Sequence, residues 1–396
     1  MKNGRVSQMI GRLIALILLL SGASAARADC DAANRYVFSF ANQSAATLTY
    51  GTSYSYTARN GNGATQTMTM ALTQNGLAST VAGGVTLPAI GTLVTGANGA
   101  QSLTLGGVFS GRTASIAGTT RVVTLTYTFA EPVRDVSFTL YDVDFGANQF
   151  REWIQVTGSA GTVAMSSPPR NGNGAGAART ATGSTVAFGT LSTPISLTVS
   201  QAAGTAASGN NSDEGNVDVT FAVPVTSVTL RYGNYPLTTS ETATGQQAIG
   251  IGGVSYCPLP RITVTKTSTP YQTSGTNRFA IPGADVIYTF AVANTGGSPV
   301  DASAVVLTDV LPSNVTFYGG DVDDAGPATG AFEFTPGSSG LTLPTSGIAY
   351  SNDGGASYAY QATTTYDANV RAIRLNPSGS FAANSSFTIR FRARVN

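Results

Sequence analysis

Histidine is absent from all 396 residues. Ser-His-Asp and Cys-His nucleophiles are therefore excluded, as is any metal site built on imidazole. Charge is scarce as well. Asp, Glu, Lys and Arg make up 10% of the chain, and beyond residue 28 the one lysine is Lys266. Thr, Ser, Ala, Val and 46 glycines fill most other positions, a composition that favours strands and Gly-rich turns over helices. After the first 28 residues no apolar run approaches the roughly 20 residues needed to span a bilayer as a helix. No Gly-rich phosphate loop precedes a helical pattern, so nucleotide-binding fingerprints are missing. A glycosidase needs only two carboxylates, which composition cannot exclude. No pair is marked by spacing, however, and the chain is read as a non-enzyme.

The first 28 residues read as a signal peptide. Lys2, Arg5 and Arg12 form a basic start, Leu13–Leu20 an apolar stretch, and Ala26-Arg27-Ala28 a small-x-small cleavage site, with Ala23-Ser24-Ala25 as the alternative. Cleavage after Ala28 removes Lys2, Arg5, Arg12 and Arg27 from 21 basic residues. That leaves 17 against 20 acidic residues, a net charge of −3. Nothing in that balance attracts nucleic acid or an anionic membrane. The expected location is outside the cytoplasm after general secretory export: extracellular, at the cell surface or in the periplasm.

Two cysteines remain, Cys30 and Cys257. In an exported chain an even pair reads as a disulfide, with two free thiols as the alternative. Cys257 opens the segment Cys257-Pro258-Leu259-Pro260-Arg261. Its two prolines lack backbone donors and hold φ near −65°, so neither flanking sheet runs easily through it. Residues 29–257 are expected to form one domain and residues 262–396 a second, joined by a stiff Pro-rich neck at 258–261.

In the first domain, 36–40, 65–72, 121–129, 195–199, 217–221 and 228–232 alternate with period two. Asn60-Gly61, Asn75-Gly76 and Asn98-Gly99 punctuate them, and 168–183 is low-complexity loop. Many short strands without helical periodicity argue for an all-β, jelly-roll-like sandwich. Val136, Phe138 and Leu140 share one strand face, and continued alternation puts Asp142 and Asp144 on that face at the strand end. With Glu152 as a third oxygen donor, this is the kind of setting calcium favours. The other reading ends the strand at Tyr141 and leaves both aspartates in a solvated turn. A second acidic stretch, 210–218, lacks EF-hand spacing and reads as a hydrated loop.

The end of this domain, 231–234 and 246–257, together with 136–145, resembles the jelly-roll domains of bacterial surface proteins. Many proteins of that shape bind glycans, which implies sugar stacking on surface aromatics. Tyr54, Tyr56, Trp153, Tyr232 and Tyr235 are the candidates, with ordinary sheet packing as the alternative for each.

The second domain carries Ile262-Thr263-Val264-Thr265-Lys266-Thr267, then Ile281-Pro282-Gly283-Ala284-Asp285-Val286-Ile287-Tyr288-Thr289-Phe290 running to Asn294-Thr295-Gly296, and Val305-Val306-Leu307-Thr308-Asp309-Val310-Leu311-Pro312. These segments resemble the conserved-repeat module of prokaryotic surface proteins called domain of unknown function eleven. The resemblance implies an immunoglobulin-like β-sandwich. The closing strand alternates Phe387, Ile389, Phe391, Ala393 and Val395 against Thr388, Arg390, Arg392 and Arg394, an arginine row expected to guard a sheet edge. Asp321–Asp324 and Asp353 lie in acidic turns, read as solvated or calcium-holding.

Together these features predict a secreted or cell-surface structural or adhesion protein, whose partner is a surface polysaccharide or another surface protein. The alternative is a calcium-assisted, lectin-like carbohydrate binder.

Overall fold

The computed structural model describes residues 30, 32–146, 149–159, 170–171, 180–182, 185–186, 195–221, 223–235, 245–271, 279–324, 326 and 329–396. The signal-peptide segment and most of the low-complexity loop 168–183 lie outside these. The fold is all-β. Among the described residues there is no α-helix, only single-turn 3₁₀ segments at Phe40–Asn42 and Thr345–Gly347. No helix there is long and apolar enough to cross a membrane. Contacts divide the chain into two compact units, residues 30–259 and 260–396, and the division falls within the predicted 258–261 neck.

The first unit is built on one 20-residue strand, Val122–Tyr141. Its first half lies between Thr65–Asn75 and Val225–Asn234, pairing Leu125 with both Leu72 and Leu230. Its second half pairs instead with Val217–Phe221 and Gly253–Pro258. The change of partners is local chemistry. Pro132 cannot donate to a ladder, the register shifts on both ladders near it, and Asp135 takes the left-handed region at φ 52°. One extra residue there flips the alternation. Odd positions Val123, Leu125, Tyr127, Phe129 and Val133 face the core before it, and even positions Val136, Phe138 and Leu140 after it. The core these faces share includes Phe109, Tyr127, Phe221 and Tyr232, and Phe109 meets Tyr232 edge-on at 5.6 Å.

The first and last strands of this unit are neighbours. Tyr36–Ser39 pairs with Gly253–Pro258 in the register Tyr36↔Tyr256, and those two rings stack at 5.9 Å. Cys30 is disulfide-bonded to Cys257 beside them, with Cα atoms 5.8 Å apart, so the unit is closed covalently across 227 positions.

The second unit has two sheets over one core. The larger runs Ile262–Pro270, Asp285–Asn294, Ser385–Val395, Val315–Tyr318, Tyr366–Asp367, with Glu333–Thr335 also on Ser385–Val395. The smaller runs Leu307–Val310, Ala372–Leu375, Ile348–Ser351. Phe290, Phe317, Phe387 and Phe391 from one pack with Ile373 and Leu375 from the other. Asn294 clips the chain reversal predicted there. Its Oδ1 accepts from the Arg261 and Gly296 N–H groups, and its Nδ2 donates to the Ser298 carbonyl at 2.9 Å.

The arginine row is not at an edge. Ser385–Val395 is interior to its sheet, paired along both sides, and among the described residues the strands at the two ends of the sheet are Ile262–Pro270 and Tyr366–Asp367. Alternation correctly put the arginines on the face away from the core but said nothing about strand order. Arg392 is buried there: its guanidinium lies over Tyr271 at 3.9 Å and Tyr318 at 4.4 Å. It binds Asp285, and Asp324 at 2.7 Å. Arg394 covers Tyr366 at 3.6 Å and shares Asp285 at 3.0 Å.

Candidate functional site: a buried acidic turn

The strand carrying Val136, Phe138 and Leu140 stops at Tyr141. Asp142 takes φ 61°, a conformation that Asp tolerates better than most residues, and this turns the chain away. The alternation expected to continue through Asp142 and Asp144 is therefore interrupted. Yet the solvated-turn reading fails too, because Asp142 and Asp144 are each only 7% exposed and Glu152 1%.

The two aspartates are covered by the loop 205–216, which overlaps the acidic stretch 210–218 expected to be a hydrated loop. Ser208 donates from its Oγ to Asp142 Oδ1 at 2.5 Å and from its backbone N–H to Asp144 Oδ2 at 2.9 Å. The Val143 and Phe145 N–H groups bond to the Gly215 and Ala206 carbonyls at 2.9 and 3.1 Å. Two glycines permit the approach. A Cβ on Gly204 would overlap the Asp144 carbonyl, and one on Gly215 would stand 2.6 Å from Ser208 Oγ and 3.0 Å from Asp142 Cα. Those glycines were the sequence signal for the contact, but nothing along the chain said which segment they faced.

Glu152 enters from Phe150–Gly158, the strand beside Val225–Asn234. Its Oε1 accepts from the Tyr232 hydroxyl at 2.5 Å and its Oε2 from the Asp144 N–H at 3.1 Å, while its own N–H donates to the Asp144 carbonyl at 3.0 Å. The electrostatics follow from burial. Loss of water raises the Asp142 carboxyl against the opposing hydrogen bond from Ser208. It lifts Asp144 to about 7, with repulsion from Asp142 adding to the rise. Glu152, buried and facing both aspartates, is pushed well above the usual carboxylate range. Burial also raises the Tyr232 phenol, so it remains the donor to Glu152.

These three carboxylates accept from protein donors, which compete with any cation for the same oxygens. Among the described residues no group of three or more His, Cys, Asp or Glu side chains is placed to hold a metal ion. The second unit's acidic turns are likewise engaged. Asp353 accepts from the Ser351 and Ser357 hydroxyls, Asp321 from Thr329, and Asp324 from Tyr271 and Arg392.

The aromatic candidates do not form a surface platform. Tyr232 is fully buried in the main core. Trp153 and Tyr235 are buried against each other at 4.8 Å in a satellite cluster with Ile116, Leu197 and Ala203. For these three the ordinary-packing alternative holds: Tyr232 points into the main core, while Trp153, on the opposite face of its strand from Ile154, and Tyr235 are covered by the satellite cluster. Tyr54 and Tyr56 are half-buried and packed on the core, Tyr56 lying 4.7 Å from Phe38. A cavity of about 450 Å³ lies elsewhere in the unit, lined by Ala46, Val85, Ile90, Leu93 and Thr104 among others, with no charged group.

The chain matches no protein-family model and no curated protein.

Proposed function

We propose that the chain is an exported, non-enzymatic structural or adhesion protein of the cell surface. In this reading residues 30–259 form a jelly-roll-like front domain, and residues 260–396 an immunoglobulin-like spacer of the domain-of-unknown-function-eleven type. The Cys30–Cys257 disulfide carries the reading. It ties the segment just ahead of the first strand to the last strand across 227 positions, and such bonds persist in oxidising compartments. The signal-like pattern of residues 1–28, the low charge and the Thr/Ser/Gly-rich composition support it. Fractionation of expressing cells tests it: the protein should be recovered outside the cytoplasm with the disulfide formed, and retention in the cytoplasm with two free thiols sinks the reading.

The alternative is a calcium-assisted carbohydrate binder, motivated by the gathering of Asp142, Asp144 and Glu152 at one buried site, where protein donors already hold their oxygens. A glycan array with and without chelator separates the two readings. Chelator-sensitive glycan binding favours the lectin, and surface retention without glycan binding favours the structural role. An unchanged melting temperature at millimolar calcium removes the metal from the account.

A further inference from the structure

We propose that the side chains of Lys266 and Asp309 condense to an amide, a covalent cross-link between the two sheets of the second unit. Lys266 lies on Ile262–Pro270 in the larger sheet and Asp309 on Leu307–Val310 in the smaller. Their side chains meet in the interior. Nζ stands 2.6 Å from Oδ2, with the side chains only 12% and 2% exposed. The amine lies over Tyr288 at 4.5 Å, with the Phe290 and Phe391 rings at 5.5 and 5.8 Å.

Three features of this geometry favour condensation over a lasting ion pair. A dry, ring-lined site removes the hydration that stabilises separated charges. Burial raises the Asp309 carboxyl against the opposing pull of Lys266, which favours the neutral acid that an amine can attack. The reacting atoms are already held in contact, an arrangement that replaces a bimolecular encounter with an effective concentration of about 10⁵ M or more. The step balances without an external reagent. Nζ–H passes its proton to Oδ2, the freed lone pair attacks Cγ, a second nitrogen proton leaves with the Oδ2 hydroxyl, and one water is released as the C–N bond forms. The rings that exclude water also oppose the reverse hydrolysis.

The full-length chain, reduced and denatured, tests this by intact mass and peptide mapping. The expected mass is lower by one water, with a branched peptide containing both residues and no tryptic cut after position 266. A Lys266→Arg chain, which keeps the positive charge but lacks the nucleophilic amine, should recover the full mass. A wild-type chain of full mass overturns the proposal. So does a water loss confined to one unbranched peptide, the mark of a succinimide.

Discussion

Gly204 sits directly against the backbone of Asp144, so close that a Cβ at position 204 would overlap the Asp144 carbonyl. The contact is with backbone, which cannot rotate away as a side chain can. Gly204→Ala should therefore destabilise the first unit by about 1–3 kcal/mol through strain, read as a lower denaturant midpoint. Gly51, whose φ is 84° but whose Cβ would meet nothing, supplies the comparison. There Ala should cost only the left-handed backbone penalty, about 1 kcal/mol.

The acidic turn makes the first unit sensitive to rising pH. Asp144 moves from an ordinary 3.8 to about 7 on folding, so the folded form holds its proton more tightly than the unfolded chain. Its contribution is complete below 3.8 and is lost as pH rises to about 7. Thermal unfolding of the first unit should shift downward across that window. Asp144→Asn should flatten the dependence, and an unaltered profile in that variant refutes the assignment.

The second unit should respond in the opposite sense. Burial works to raise the Asp285 carboxyl, but hydrogen bonds from Tyr366, Arg392 and Arg394 outweigh it and hold the group below its usual value. A lowered carboxyl contributes stability above 3.8 that is lost as pH falls through the folded pKa. Acid should therefore weaken residues 260–396 while favouring the protonated turn of residues 30–259. Asp285→Ala leaves the buried Arg392 charge short of a partner and should cost about 3–5 kcal/mol, measured by chemical denaturation.

Opening the disulfide should act on the first unit alone. In the chain-entropy model a loop of this length is worth about 5 kcal/mol at most, with native strain and residual unfolded structure reducing it. Cys30→Ser with Cys257→Ser should lower the melting temperature of the first transition and leave that of residues 260–396 in place. Two unchanged transitions would contradict closure as the role of the bond.

Much of the fold was legible because strand alternation is written one residue at a time. Val136, Phe138 and Leu140 share a face as read, and Phe387, Ile389, Phe391 and Ala393 line the second core as read. The cysteine pair was equally direct, since a chain with only two thiols offers each of them one intramolecular partner. Strand order was not legible. Arg392 looked like an edge guard because alternation reports which face a residue occupies, not which strand lies beside it. The acidic turn shows the same limit. Asp142 could be read as leaving the sheet, but its cover by Ser208, 66 positions away, depends on a long-range contact with no local mark. Trp153 and Tyr235 were open to both readings for a related reason, since an aromatic ring fits a sugar face and a neighbouring ring equally well, and packing is what buries them.

The long strand Val122–Tyr141 has a consequence for how the first unit comes apart. One piece of backbone is the middle of two ladders, changing partners near Pro132 and Asp135. Melting either ladder releases the chain that holds the other in register. The layers therefore cannot unfold one at a time, and calorimetric and van't Hoff enthalpies for this unit should coincide. A bend that looks like a local irregularity makes the unit's unfolding all-or-none.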